Sequence, residues 1–119
     1  MFKTKMLKKN YEFRKVLSKG KHYSGKYIEI VILKNNEKNT CLGIAISTKI
    51  GKAVVRNRIK RLIRETYKIK ESKIIDGYSI VFLWKKSVTT ENATFNNIKS
   101  DVDMLFDKAN IIEYEKNID

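Results

Sequence analysis

The sequence predicts a single α+β domain over residues 1–119, in which helices pack a small mixed central sheet. Three observations carry that expectation. Apolar residues recur at helical spacing in three segments and at strand density in three others, in the order α-β-β-α-β-α. The chain has no proline, five glycines and no low-complexity linker that would divide it into separate domains. Its 119 residues, 42% hydrophobic, suffice for one modest core.

The first helix is expected from Tyr11 to Lys19, capped by Asn10 and closed by Gly20, with Phe13, Val16 and Leu17 on one side. A short extra strand is possible near Lys21 to Tyr23. Tyr27 to Leu33 (YIEIVIL) is β-branched and stops at Asn35-Asn36. Thr40 to Ser47 alternates Leu42, Ile44 and Ile46 with the small Cys41, Gly43, Ala45 and Ser47. About six polar residues join these two strands, so they read as a hairpin. Gly51 then precedes the longest helix, Ala53 to Lys70, whose inner arc gathers Val55, Ile59, Leu62, Ile63, Thr66 and Ile69. Tyr78 to Trp84 is apolar on both faces, as a central strand is. The last helix starts between Thr90 and Thr94, with an apolar stripe of Phe95, Ile98, Val102, Leu105, Phe106 and Ala109. Asp101, Asp103 and Asp107 read as its solvated face.

Charge is the strongest functional signal. Twenty-six Lys and Arg against thirteen Asp and Glu give a net +13, with an isoelectric point near 9.8. Residues 1–26 carry nine basic groups and one acid, and residues 49–70 carry the same. Residues 71–119 carry six basic groups and nine acids. Two segments therefore hold all the excess, which points to a polyanion that neutralises them.

Protein-borne catalysis is not indicated, and no catalytic or metal-binding residue is assigned. The sole histidine, His22, lies among Lys21, Tyr23 and Lys26 without a nearby acid or thiol, and reads as an exposed loop residue. No phosphate-cradling glycine motif occurs, since GKAVVRNR lacks the second glycine and the Lys-Ser/Thr pair. Cys41 is the only cysteine and reads as a small buried strand residue, consistent with a reducing, cytoplasmic setting. No apolar run reaches the ~20 residues of a membrane span, and the charged N-terminus lacks the apolar stretch of a secretory signal.

The helix over Ala53–Lys70 departs from an ordinary amphipathic surface helix. Arg56, Arg58, Lys60, Arg61 and Arg64 come before any acid, Glu65, appears. Like charges so aligned cost stability that opposite-charge i, i+4 pairs would have supplied. Guanidinium forks suit bidentate phosphate contacts, and Asn57, set among them, both donates and accepts toward a base edge or 2′-hydroxyl. Lys21 to Tyr27 interleaves cations with aromatics, as single-strand stacking surfaces do. Phe13 with Tyr27 on one concave face would make a stacking platform.

Lys49 to Glu65, KIGKAVVRNRIKRLIRE, resembles the signature of the bacterial ribonuclease P protein subunit. Lys49, Gly51, Ala53, Val54, Arg56, Asn57, Arg58, Lys60 and Arg61 match its Lys-x-Gly-x-Ala-Val-x-Arg-Asn-Arg-x-Lys-Arg core. The likeness extends upstream through LGIAIS and LKKNYEFRKVLSKG. It implies an endoribonuclease ribonucleoprotein that removes the 5′ leader of precursor tRNA, with Mg²⁺ acting mainly through the RNA subunit. Lys49, Lys52, Arg56, Asn57, Arg58, Lys60, Arg61, Arg64 and Lys68 would face the catalytic RNA. Phe13, Leu17, Tyr27, Val31 and Lys15 would form the leader cleft, Leu17 and Val31 standing where relatives often carry aromatics. The family fold also implies a left-handed β-α-β crossover through the arginine-rich helix, against the usual hand.

Two other readings share the electrostatics. A structural RNA-binding protein of ribosomal type is equally basic and compact, but the ordered Arg-Asn-Arg block argues against it. A polybasic membrane-surface protein needs an exposed apolar helix face, whereas both basic helices here need theirs for the core. No membrane and no obligate protein partner is indicated.

Overall fold

Five strands and three helices arise from these patterns: β1 (Thr4–Met6), α1 (Asn10–Lys19), β2 (Lys21–Ser24), β3 (Ile28–Lys34), β4 (Thr40–Ala45), α2 (Ala53–Lys70), β5 (Tyr78–Trp84) and α3 (Phe95–Ala109). The computed structural model describes residues 3–113. The single-domain assignment over 1–119 runs beyond them at both ends.

The strands form one mixed sheet in the order β1-β4-β5-β3-β2. β5 sits at its centre, antiparallel to β3 and parallel to β4. The expected hairpin between β3 and β4 is therefore corrected: β5 lies between them. Ile80, Val81 and Phe82 are wholly buried, so the strand that is apolar on both faces takes the position covered on both. The linker after β3 only has to cross the ~10 Å of two strand spacings. Asn35 N–H donates to Gly77 O at 2.7 Å there, and Gly77 has φ +96°, a left-handed conformation that glycine adopts without strain. The short strand β2 pairs with β3, and it places His22 in a strand rather than a loop, though still exposed. β1 was not expected. Three residues with a central lysine give no apolar signal, and β1 forms by parallel pairing with Thr40–Leu42 of β4.

The two sheet faces bury different cores. α2 and α3 cover Ile28, Ile30, Leu42, Ile80 and Phe82, whereas α1 lays Val16 over Val31 and Val81. The hand of the β4-α2-β5 crossover follows. Tyr27 pairs with Lys85 and Asn35 with Gly77 through backbone hydrogen bonds, so by alternation Val31 and Val81 are also a hydrogen-bonded pair. In an L-residue whose side chain faces the viewer on an upward strand, N–H and C=O point right. Seen from the α1 side with β5 upward, β3 is thus on the right and β4 on the left. From the α2 side the order reverses, and the chain passes from β4 leftward to β5. The crossover is left-handed.

Four local expectations are corrected. α1 is not capped by the Asn10 side chain. Glu12 reaches back instead, its Oε1 accepting from Lys9 N–H at 2.9 Å and Lys8 N–H at 3.2 Å, and these bonds lower its pKa. Gly20 closes α1 in an extended conformation, φ −78°. Its need for glycine is space, since a Cβ would stand 2.7 Å from Val31 Cγ1. On α2, Ile69 is half-exposed while Tyr67 is wholly buried, because Tyr67 makes edge-on contacts with Phe82 and Phe106. On α3, Asp101 is buried and Asp103 pairs with Lys70 and Lys99, so these two do not form a solvated face. Cys41 is buried as expected, and burial pushes its thiol pKa up.

Candidate RNA interface

α2 presents one cationic face, built from its N-terminus onward. The Ser47 hydroxyl accepts from Lys49 N–H at 3.2 Å and shapes the turn that leads in. No side chain caps the helix and no acid stands in its first turn. The positive end of the helix dipole therefore adds to the exposed Lys49 and Lys52. Arg56 and Arg58, at the two edges, fold back onto the protein. Arg56 Nη1 donates to Gly51 O at 2.6 Å, and the Arg58 guanidinium donates to the Ala93 carbonyl. These bonds fix both guanidinium planes while leaving further N–H donors on each.

Between those edges Asn57, Arg61, Arg64 and Lys68 are exposed and Lys60 is half-exposed. The only ion pair of this face among the described residues joins Arg61 to Glu65 at 3.8 Å. Both partners are well solvated, so the pair adds little stability. The nine residues read from the sequence thus fall on one helix and its entry turn. They have the chemistry to bind phosphates along a folded backbone.

The second group divides. Phe13 and Leu17 are half-buried on α1 and pack with Val31 of β3 in one cluster. The Phe13 ring lies against the sheet because residue 43 is glycine: a Cβ there would stand 2.5 Å from Phe13 Cε1. Val31 is wholly buried, so it supports the cleft from beneath. Tyr27 is half-buried against the larger core, with Lys26 Nζ 5.4 Å from its ring centroid. Lys15 is exposed and borders a cavity of about 380 Å³ that Leu7, Val16 and Leu33 of the Phe13 cluster also line. Phe13, Leu17 and Val31 are therefore brought together with Lys15 at their border, whereas Tyr27 packs with the other core.

A second cavity of about 390 Å³ adjoins the Phe13 cluster through Ala45 and Leu83 and is also lined by Glu29, Ser47, Lys85 and Lys86 among others. The sequence reading missed it. Strand parity held the signal, since Glu29 has the parity of Val31 in YIEIVIL. Also missed was Asp101, whose carboxylate accepts from the N–H groups of Lys26, Tyr27 and Ile28.

Residues 1–110 match the family model described as Ribonuclease P. The chain belongs to the ribonuclease P protein family. Its role is that of protein component of the ribonuclease P ribonucleoprotein, whose other partner is an RNA. The ribonuclease P protein component of Clostridioides difficile is 43% identical over 110 residues, covering 92% of this chain and 95% of the relative. That of Clostridium acetobutylicum is 35% identical, covering 98% of each. Among solved structures, the Staphylococcus aureus ribonuclease P protein superposes with a TM-score of 0.80 at 28% identity, over 91% of this chain and 97% of that one. The Thermotoga maritima ribonuclease P protein gives 0.74 at 27% identity, over 85% and 94%. No helix among the described residues is long and apolar enough to cross a membrane.

Proposed function

We propose that this chain binds the catalytic RNA of ribonuclease P through α2 and the 5′ leader of precursor tRNA through the cleft between α1 and the sheet. The observation that carries the reading is the α2 face, where Arg64, Lys60 and Lys68 have no acidic partner among the described residues. An uncompensated cationic face is stabilised when an RNA backbone covers it. The cleft supports the leader assignment, because an apolar floor and a half-exposed ring suit unstacked bases. Hydrolysis of the phosphodiester is assigned to the RNA, with Mg²⁺ held there. Among the described residues no three His, Cys, Asp or Glu side chains converge as a divalent-metal site would require. The setting is the cytoplasm, where the free Cys41 stays reduced.

The test is reconstitution at low Mg²⁺. Protein freed of RNA should leave precursor tRNA intact, and protein plus a bacterial ribonuclease P RNA should cleave it where the RNA alone is slow. Cleavage by the RNA-free protein would overturn the division of labour. Absence of any rate enhancement would overturn the subunit assignment.

A further inference from the structure

The open side of the sheet, beyond α1, holds a cavity whose one acid, Glu29, stands among two lysines, two serines and apolar residues. Glu29 on β3 stands level with Leu83 of β5, and the cavity they share is lined by Leu83 and Ala45. Both residues also pack against the Phe13 cluster, so the cavity adjoins the cleft. Glu29 is half-buried, and its carboxylate makes no hydrogen bond or ion pair among the described residues. Lys85 lines the same cavity, but its ammonium donates instead to Gly25 O at 3.0 Å. Lys86 is exposed at the rim.

A carboxylate only accepts hydrogen bonds and repels phosphate. In a groove that takes RNA, its complement is therefore a base edge rich in donors. Guanine presents two adjacent donors, N1–H and the N2 amino group, which match the two carboxylate oxygens as a bidentate pair. Adenine and cytosine each set one amino group beside an acceptor nitrogen, which the second oxygen repels. Uracil sets one N–H between two carbonyls. The apolar Leu83 and Ala45 suit the face of a base, and the exposed Lys86 suits its phosphate.

We propose that Glu29 is a specificity-determining residue of the cleft, accepting from the Watson–Crick edge of an unpaired guanine in the leader. The proposal rests on the reading of the cleft as the leader site. It makes the cleft a selective reader at one nucleotide and a sequence-tolerant stacking surface elsewhere.

The experiment uses the reconstituted ribonucleoprotein and precursor tRNAs whose leaders are all uridine except for one guanosine, walked through each position. Affinity is measured relative to mature tRNA. At one position guanosine should tighten binding by about tenfold over uridine, and inosine, which lacks the N2 amino group, should recover only a fraction of that gain. With Glu29→Gln the preference should fall below about twofold, because the second acceptor becomes a donor facing the guanine N–H. Equal affinity at every position in the wild type would overturn the proposal, and that arm needs no variant. A guanosine preference that survives Glu29→Gln would overturn it too. Precursor and mature tRNA bound equally well, whatever the leader, would instead overturn the leader assignment on which the proposal stands.

Discussion

The carboxylate of Asp101, on α3, accepts the backbone N–H of Tyr27 at 2.7 Å across 74 positions of sequence. The same group takes the N–H of Lys26 at 3.1 Å and of Ile28 at 3.0 Å. Gly25 completes the arrangement, since a Cβ there would stand 2.7 Å from Asp101 Oδ2. One buried side chain thus satisfies three backbone donors of the turn between β2 and β3. It fixes the Lys26–Tyr27 edge of the sheet to the helix behind it.

Asp101→Ala should accordingly be among the most costly single substitutions outside the apolar core. It strands three N–H groups, those of Lys26, Tyr27 and Ile28. The expected loss is about 2–4 kcal/mol, given ~1–3 kcal/mol for a buried donor left unpaired and partial rescue by water. Denaturant unfolding measures it, and amide exchange at residues 26–28 should quicken more than elsewhere. A loss under about 0.5 kcal/mol would mean that water replaces the carboxylate fully.

Gly43 and Phe13 form a second dependent pair, with consequences for binding. Gly43→Ala puts a Cβ 2.5 Å from Phe13 Cε1 and 3.0 Å from Leu7 Cδ1, so the ring must leave the sheet. Folding stability should fall by about 1–3 kcal/mol through overpacking. Affinity for precursor tRNA should fall as well, while mature tRNA binds as before. Phe13→Ala removes the ring outright and should weaken leader binding by about 1–3 kcal/mol if a base stacks there. Equal losses for both tRNA forms, together with a large drop in melting temperature, would make Phe13 a packing residue only.

Much of this architecture was legible from residue pattern, for reasons that also explain the gaps. The period of β5 showed a strand buried on both faces, and that fixed its central place. The pairing of β3 and β4 was misread because sequence proximity favours a hairpin, while burial of β5 requires it to be inserted between them. Asp101 was grouped with Asp103 and Asp107 as a run of acids, although at 100° per residue it stands about 200° from Asp103 and on the side of Ile98, Val102 and Leu105. Its inward side was therefore legible from helical period, whereas the three donors that satisfy it come from the β2–β3 turn and were not. The arginine-rich face was legible because charge on a long helix needs no tertiary partner to be seen. Glu29 was not, because its meaning depends on which strand lies beside it.

Salt dependence separates the cations that serve RNA from those that serve the fold. Arg61→Ala and Arg64→Ala should each lower the log–log salt slope of RNA binding by roughly 0.7–0.9, the release expected per neutralised phosphate. The Glu65 carboxylate, 3.8 Å from Arg61 and well solvated, is too weak a competitor to mask the effect. Neither substitution should change the melting temperature appreciably. Arg58→Ala should add a stability loss of about 1 kcal/mol, because its guanidinium also holds the Ala93 carbonyl beside the start of α3. An unchanged slope for Arg61→Ala and Arg64→Ala would return both residues to an ordinary solvated face.

Tyr67 gives the fold a defined alkaline limit. Its ring stands edge-on to Phe82 and Phe106, each 6.4 Å away between centroids. Its hydroxyl meets Thr4 Oγ1 at 2.6 Å, and Thr4 also bonds the buried Glu71 carboxylate. Burial, above all, pushes the Tyr67 pKa up from 10.0 to about 12. In the unfolded chain the phenol loses its proton near pH 10, whereas in the fold it keeps it until about pH 12. Between those values the unfolded state binds fewer protons, so stability falls as pH rises. The contribution is complete below pH 10 and should have declined by about 2–3 kcal/mol once pH exceeds 12. Tyr67→Phe keeps the ring contacts, gives up the Thr4 hydrogen bond and cannot titrate. At pH 8 it should be less stable than the wild type by about 1 kcal/mol. Above pH 10 that gap should close and then reverse, with the many lysine titrations cancelling in the difference. Unfolding of both proteins in denaturant from pH 8 to 12 reads it directly. Parallel stability curves would show that the phenol ionises without cost to the fold, and that β1 is not locked to α2 through this hydroxyl.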